Sequence, residues 1–233
     1  MDISLDPREA VHGERFLRRA VRARRVYAVS CAEGLARQPS RRERGLEVTL
    51  LWSEPAPAQR WAGVLPSHAR VKELDLDEFL AGMLPALAEH KRLVGLDWNE
   101  QAVEPEVGPL DLAAMLRNEM LESFLTRVIM FGAVWTLGDA YGPALLVSST
   151  RAGDVLMLPC WSDERQAEAR IEGPWSECVT MRTRLDDFLN VTLGWLERQG
   201  HLVAPEHMRG RGTAELDPTH FKLRLAARRV TGM

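Results

Sequence analysis

The chain has 233 residues, 45% hydrophobic and 27% charged, with a formal net charge of −3. That composition is ordinary for a soluble globular protein and leaves open one large domain or two small ones. It holds no run of about 18 apolar residues, which excludes a bilayer-spanning helix.

The first stretch, "MDISLDPREAVHGERF", has acids where a signal peptide needs basic residues and lacks an apolar core, so a cytoplasmic location is expected. Asp6 is placed to cap a helix whose first turn holds Pro7 and Glu9. Phe16, Leu17, Ala20 and Val21 then form one apolar stripe. "RVYAVS" and "LEVTLLW" read as strands, separated by the polar loop "EGLARQPSRRERG". A short helix is expected after Trp52 and a strand near "ARVKEL". Asp75 and Glu78 make a second capping box for "LDEFLAGMLPALAEH", which Pro85 should bend. "RLVGL" reads as a strand and "PLDLAAML" as the start of a last helix.

The same succession then returns. "LDDFLNVTLGWLERQGHLV" (185–203) repeats "LDEFLAGMLPALAEHKRLV" (76–94) with eight identities in nineteen ungapped positions, 109 residues on. They pair Leu76, Asp77, Phe79, Leu80, Leu84, Leu87, Leu93 and Val94 with Leu185, Asp186, Phe188, Leu189, Leu193, Leu196, Leu202 and Val203. Outside that window "ERFLRRAVRARRVYAV" (14–29) answers "ESFLTRVIMFGAVWTL" (122–137), and Trp52 falls opposite Trp161. The expected architecture is an α+β tandem duplication of a small α+β unit, about αββαβαβα, with helices packed on a mixed sheet in each copy. The copies are expected at 1–117 and 118–233, joined by a continuous helix because "DLAAMLRNEMLESFLTRVIMFG" (111–132) holds no helix breaker. In copy two the long loop shortens toward a hairpin around "GDAYGP", and Gly194 stands where copy one has Pro85 and should bend the helix likewise.

The run "AVWTL", "ALLVSS", "LMLPCWSDE", "RLDDFLNVTLGWLERQGHLV" resembles the bacterial domain of unknown function 2750, over about 122–228. Copy one departs from it at Tyr27, in place of the first-strand Trp, and at "TLLW", in place of "LPCW". The resemblance implies a compact bacterial cytoplasmic domain and carries over no catalytic residue.

Three odd cysteines, Cys31, Cys160 and Cys178, without a CxxC pair signal neither a disulfide framework nor a zinc knuckle, and buried reduced thiols are expected. The six histidines form no HExxH pattern; His201 and His207 flank Glu206 in a strand-to-loop segment too irregular to read as a metal site. No GxSxG, GxGxxG or GxxxxGK[ST] is present; "GRG" at 210–212 reads as a loop whose Arg faces an anion at most. No metal, cofactor or catalytic residue is therefore expected. Asp77–Glu78 and Asp186–Asp187 are better explained by helix initiation than by paired-carboxylate chemistry.

Candidate binding residues are Trp52 and Glu54 in copy one and Trp161, Asp163 and Glu164 in copy two: a strand-end Trp beside an acid lines a groove or anchors the sheet end. Arg18, Arg22 and Arg25 belong to a dense basic segment, since residues 1–45 carry eleven Arg against six acids. Residues 46–122 reverse the balance, with six basic residues against fourteen acids. The arginines suit phosphate contacts, or a solvated face paired with the acidic stretch 97–111. The acidic middle and the lack of a stacking motif weigh against nucleic acid. The expected function is a non-catalytic, protein-binding module of immunity-like or regulatory kind, without membrane association and with its oligomeric state open. The alternatives are an enzyme or small-ligand binder with a site between the copies, and weak nucleic-acid binding through the first helix.

Overall fold

The computed structural model describes residues 7–32, 34–65, 69–99, 104–208 and 214–231. Two compact units divide the chain, Met1–Glu119 and Met120–Met233.

In unit one, helix α1 (Pro7–Ala23) starts with a proline, whose missing N–H costs nothing in a first turn. Its buried stripe is Phe16, Leu17, Ala20 and Val21. The expected cap, Asp6, lies outside the described residues. Strand β1 (Arg25–Cys31) follows, then the short β2 (Gly34–Leu35) and β3 (Arg37–Pro39), and then β4 (Glu47–Trp52). Thus the segment read as a plain loop contributes two short strands, because Arg37–Pro39 pairs with β4 once the chain has turned back. Helix α2 (Pro55–Val64) and β5 (Arg70–Asp75) lead to a composite helix: α3 (Leu76–Glu78), a π turn at Phe79–Met83, and α4 (Leu84–Glu89). Asp75 caps it, accepting bonds from the Asp77 and Glu78 amides. Strands β6 (Leu93–Leu96) and β7 (Glu106–Val107) complete the sheet, and α5 (Pro109–Phe131) follows as one uninterrupted helix of 23 residues.

Unit two repeats the order with β8 (Ala133–Asp139), β9 (Gly142–Pro143), β10 (Leu146–Val147), β11 (Leu156–Cys160), α6 (Glu164–Glu168), a 3-10 turn at Gly173–Trp175 and β12 (Val179–Arg184). Then come α7 (Leu185–Asp187), a π turn at Phe188–Thr192, α8 (Leu193–Gln199), β13 (Leu202–Pro205) and α9 (Pro218–Thr231). The hairpin read around "GDAYGP" is β8–β9, pairing Gly138 with Pro143 and Asp139 with Gly142.

The duplication extends to strand register. β1 pairs antiparallel with β5 over six rungs from Arg25↔Asp75 to Ser30↔Arg70, and β8 pairs with β12 over six from Ala133↔Arg184 to Gly138↔Val179. β4 and β6 run parallel with Val48↔Leu93 to Leu51↔Leu96; β11 and β13 do so with Met157↔Leu202 to Cys160↔Pro205. Tyr27 pairs with Trp52 as Trp135 bridges Trp161. Unit one's sheet therefore runs β5-β1-β4-β6, and unit two places its strands in the matching order as two three-stranded sheets, β12-β8-β9 and β10-β11-β13, joined by the Trp135–Trp161 bridge. A single-residue slip would turn every buried side chain to the wrong face, so identical register preserves identical cores. Phe124, Phe188 and Phe221 meet edge to face at about 6 Å in unit two, each with under 1% exposure. Phe16, Phe79 and Leu112 hold the corresponding positions, also buried. Burying each such ring stabilises its unit by roughly 2–3 kcal/mol.

Pro85 and Gly194, the two helix-weakening residues, each follow an irregular turn. The π turn occurs at the same place in both composite helices, five residues ending before Leu84 and before Leu193, although only unit one has a proline behind it. The widened turn is a property of the repeated unit.

Candidate functional site

Parallel strands end at one edge of each sheet, and ligands in open α/β sheets bind beyond such ends. In unit one the chain leaves β4 as Trp52-Ser53-Glu54 and leaves β6 as Asp97-Trp98. Asp97 is turned by a positive φ of 49°, which carries its carboxylate under the end of β4. There Oδ1 accepts the Ser53 amide at 2.7 Å and Oδ2 accepts the Ser53 hydroxyl at 2.6 Å, both buried. Burial raises the Asp97 carboxyl above its ordinary pKa, against the lowering effect of the Ser53 bonds and the nearby His12 and Arg19. Above it, Arg19 of α1 pairs with Glu54 at 2.6 Å.

Unit two reproduces this with conservative exchanges. Trp161-Ser162-Asp163 follows β11, and Glu206, also at φ 49°, follows β13. The Ser162 amide donates to Glu206 Oε1 at 3.2 Å, and its hydroxyl donates to the same oxygen. Arg127 pairs with Asp163 at 2.9 Å. The Gln166 amide, with its NH2 toward the carboxylate, donates to Glu206 and accepts from Arg127. A second carboxylate is repeated as well. Glu106 accepts the Ser40 hydroxyl at 2.6 Å and the Arg41 amide at 3.0 Å. Glu215 accepts Ser149 N at 2.8 Å, Ser149 Oγ at 2.6 Å and Thr150 Oγ1 at 2.7 Å, as well as the Ser148 hydroxyl. Burial works against Glu215, but these bonds outweigh it and lower its pKa from 4.5 to about 2.

Neither constellation is a nucleophile. Ser53 and Ser162 are 3% and 4% exposed, and each hydroxyl is already committed to a carboxylate. The arrangement instead ties two strand ends together and satisfies buried polar groups. These carboxylates escaped the sequence comparison because Asp stands opposite Glu, and because a carboxylate's partner 44 residues away leaves no local pattern.

Trp52 and Trp161 are both fully buried, their indole N–H groups donating to the carbonyls of Trp98 (3.2 Å) and His207 (3.1 Å). Glu54 and Asp163 stand at the N-caps of α2 and α6 and hold Arg19 and Arg127; Glu164 lies in the first turn of α6, 3.5 Å from Thr180 Oγ1. The structure thus brings Trp52 with Glu54, and Trp161 with Asp163, to the two strand-end sites. Arg18, Arg22 and Arg25 are not brought there. Arg18 pairs with Glu14 at 3.1 Å, and Arg22 is exposed. Arg25 pairs with Glu73 at 2.8 Å and Asp75 at 2.6 Å, bonds that raise its pKa further. Arg24 pairs with Asp77. Much of the basic segment is therefore neutralised by Glu14, Glu54 and residues 73–77 rather than by the stretch 97–111, which meets Arg41 through Glu104. The histidines around Glu206 diverge: the ring of His201 lies against Trp195, and that of His207 against Trp161 and Trp175. Among the described residues no three His, Cys, Asp or Glu gather as metal ligands. Residues 210–212 and His68 lie outside the described residues.

The strand ends differ in one respect. In unit one Trp98 folds over Gly95, where a Cβ would stand 2.6 Å from the indole nitrogen, and its N–H donates to Pro105 O at 3.1 Å. Ala204 and His207 hold those places in unit two. Beside His207 opens a cavity of about 420 Å³, lined by Leu146, Pro174, Trp175 and Met208, with Arg170 and Glu172 also at its wall. Trp175 meets His207 at 6.0 Å and Trp161 at 6.4 Å, so an aromatic group backs the opening.

The signature of a family described as "Protein of unknown function (DUF2750)" matches residues 13–116 and again 121–225. The chain belongs to the DUF2750 family. No curated protein matches this DUF2750 chain. Among solved structures, one titled "Anabaena Tic22 (protein transport)" is similar at 10% identity and TM-score 0.27, covering 82% of this chain and 91% of that one. "Tic22 from Plasmodium falciparum" is similar at 9% identity and TM-score 0.26, over 92% and 98% of the two chains. No helix of this DUF2750 protein, among the described residues, is long and apolar enough to cross a membrane.

Proposed function

We propose that this DUF2750 protein is a non-catalytic, protein-binding module in which the cavity of unit two seats an apolar side chain of the partner. One observation carries the reading. The two units share their polar strand-end framework, but only in unit two does His207 replace the covering Trp98, beside a recess walled by Trp175, Pro174, Leu146 and Met208. Binding energy in protein interfaces concentrates where an aromatic or aliphatic anchor fills such a desolvated pocket. The repeated serines and carboxylates support a non-catalytic role, since their hydrogen-bonding capacity is spent inside each unit.

A second reading, a small-molecule binder, is favoured by the size of the recess, which falls within the range of about 300–1,000 Å³ usual for ligand sites. Its site is then within unit two. Crosslinking in the native host separates the two readings. A protein captured by the wild-type chain and lost with Leu146→Trp, which fills the recess, supports protein binding. A metabolite that co-purifies with the wild type and is displaced by Leu146→Trp, with no protein captured, refutes it.

A further inference from the structure

Both units end their sheets on an equivalent edge strand, β5 in one and β12 in the other, and the two edges carry different chemistry. On β5 the outward positions hold Arg70 and Lys72, and Glu73 and Asp75 are engaged by Arg25. Charges on that face of an edge, lysine especially, disfavour the addition of a strand with apolar side chains there. At the matching rungs of β12 stand Val179 and Met181, 60% and 39% exposed. The apolar residues share one face of the strand, with the Met181 sulfur lying against Gly138. On the opposite face Arg182 and Arg184 are exposed and form no ion pair with any described residue. Among the described residues β12 pairs with β8 on one side only, so half of its backbone N–H and C=O groups point outward.

We propose that β12 is a docking edge that accepts an extended peptide as an added antiparallel or parallel strand, and that the peptide alternates apolar and acidic residues. The alternation follows from the pleat: every second side chain of an added strand meets the Val179–Met181 face, and the residues between meet Arg182 and Arg184. Main-chain bonds along the open edge supply affinity, and the two arginines select carboxylates. A second copy of this chain fits poorly. Matching the apolar faces of two β12 strands places Arg182 and Arg184 of both copies on the other face, and the segment VTMRTR has no acid to offset them. The proposal names partner chemistry for a second place on unit two and stands apart from the cavity reading, because its evidence is the exchange of residues between β5 and β12.

The test uses the full chain and a fluorescent peptide of about six alternating Val and Glu residues, with a Val/Lys peptide as control. Anisotropy should show saturable binding of the Val/Glu peptide, weakened at least ~tenfold by the double substitution Val179→Arg, Met181→Lys. That variant copies residues which the same fold already carries in unit one, and unchanged circular dichroism confirms folding. Arg182→Glu, Arg184→Glu should abolish Val/Glu binding and admit the Val/Lys peptide. Leu146→Trp should leave peptide binding intact, so failure of the cavity reading and failure of this one give different results. Equal affinity for both peptides, no binding of either, or concentration-dependent dimers that dissociate on Val179→Arg, Met181→Lys would each overturn the proposal.

Discussion

Removing the carboxylate of Glu215 should flatten the acid limb of stability. In the fold Glu215 stays ionised down to about pH 2, held by Ser148, Ser149 and Thr150, whereas in the unfolded chain it takes up its proton near 4.5. The unfolded state binds the proton first as pH falls, so the stabilisation is complete above about 4.5 and disappears toward about 2. At about 1.4 kcal/mol per pKa unit the full linkage is roughly 3.4 kcal/mol. Glu215 is only partly buried, and solvent screening reduces the expected contribution to about 1–2 kcal/mol. Urea unfolding followed by circular dichroism, at about pH 7 and about pH 3, measures it in wild type and Glu215→Gln. Other carboxylates titrate equally in both proteins, so the difference between their pH slopes isolates this one. Because part of the stabilisation survives at about pH 3, wild type should lose about 1 kcal/mol more than the variant between the two conditions. Identical slopes would refute the account, for the loop hydroxyls would then not be holding an ionised carboxylate.

Asp97 should act with the opposite sign: burial raises its pKa, so the fold keeps its proton while the unfolded chain ionises, and stability falls as pH rises past the ordinary carboxylate range. Asp97→Asn should remove that fall, as read by thermal unfolding across weakly acidic pH; an unchanged profile counts against it. Gly95→Ala should cost about 1–3 kcal/mol through the Trp98 contact, and adding Trp98→His should recover part of the cost in a double-mutant cycle. Strict additivity of the two changes would contradict the coupling. Cys160 is fully buried, its thiol pushed well above the ordinary value by desolvation and the nearby Glu206, so a thiol reagent should leave it unmodified in the native protein. Mass spectrometry finding Cys160 labelled without unfolding would disprove this.

The two edge strands and the two strand ends point the same way about duplication. A shared register holds the buried faces of both units to one pattern, within which core residues exchange apolar for apolar, as Leu112 against Phe221, while exchanges at surface or strand-end positions change what each unit presents. Trp98 against His207, and Lys72 against Met181, are such positions. Asymmetry of this kind places His207 beside a recess in unit two and puts Val179 and Met181 where β5 carries Arg70 and Lys72.

Local and periodic information sufficed for the repeat, the order of helices and strands, the Asp75 cap and the unbroken α5, because each depends on residues within a turn or on a pattern spread over whole segments. The α+β duplication was legible for that reason. Contacts across the sheet were not. Asp97 reaches Ser53, Glu206 reaches Ser162 and Arg19 reaches Glu54 only after parallel strands have set their register, and sequence spacing gives no sign of which polar residues will share one buried edge. Arg25 likewise looked like part of a free basic face until β1 and β5 paired and set it between Glu73 and Asp75. Trp98 and His207 occupy equivalent sequence positions, and only the packing shows that Trp98 lies over Gly95 whereas His207 stands beside a recess. Periodicity sets which face of an element is buried; long-range registry decides which side chains meet there, and that second choice places the site.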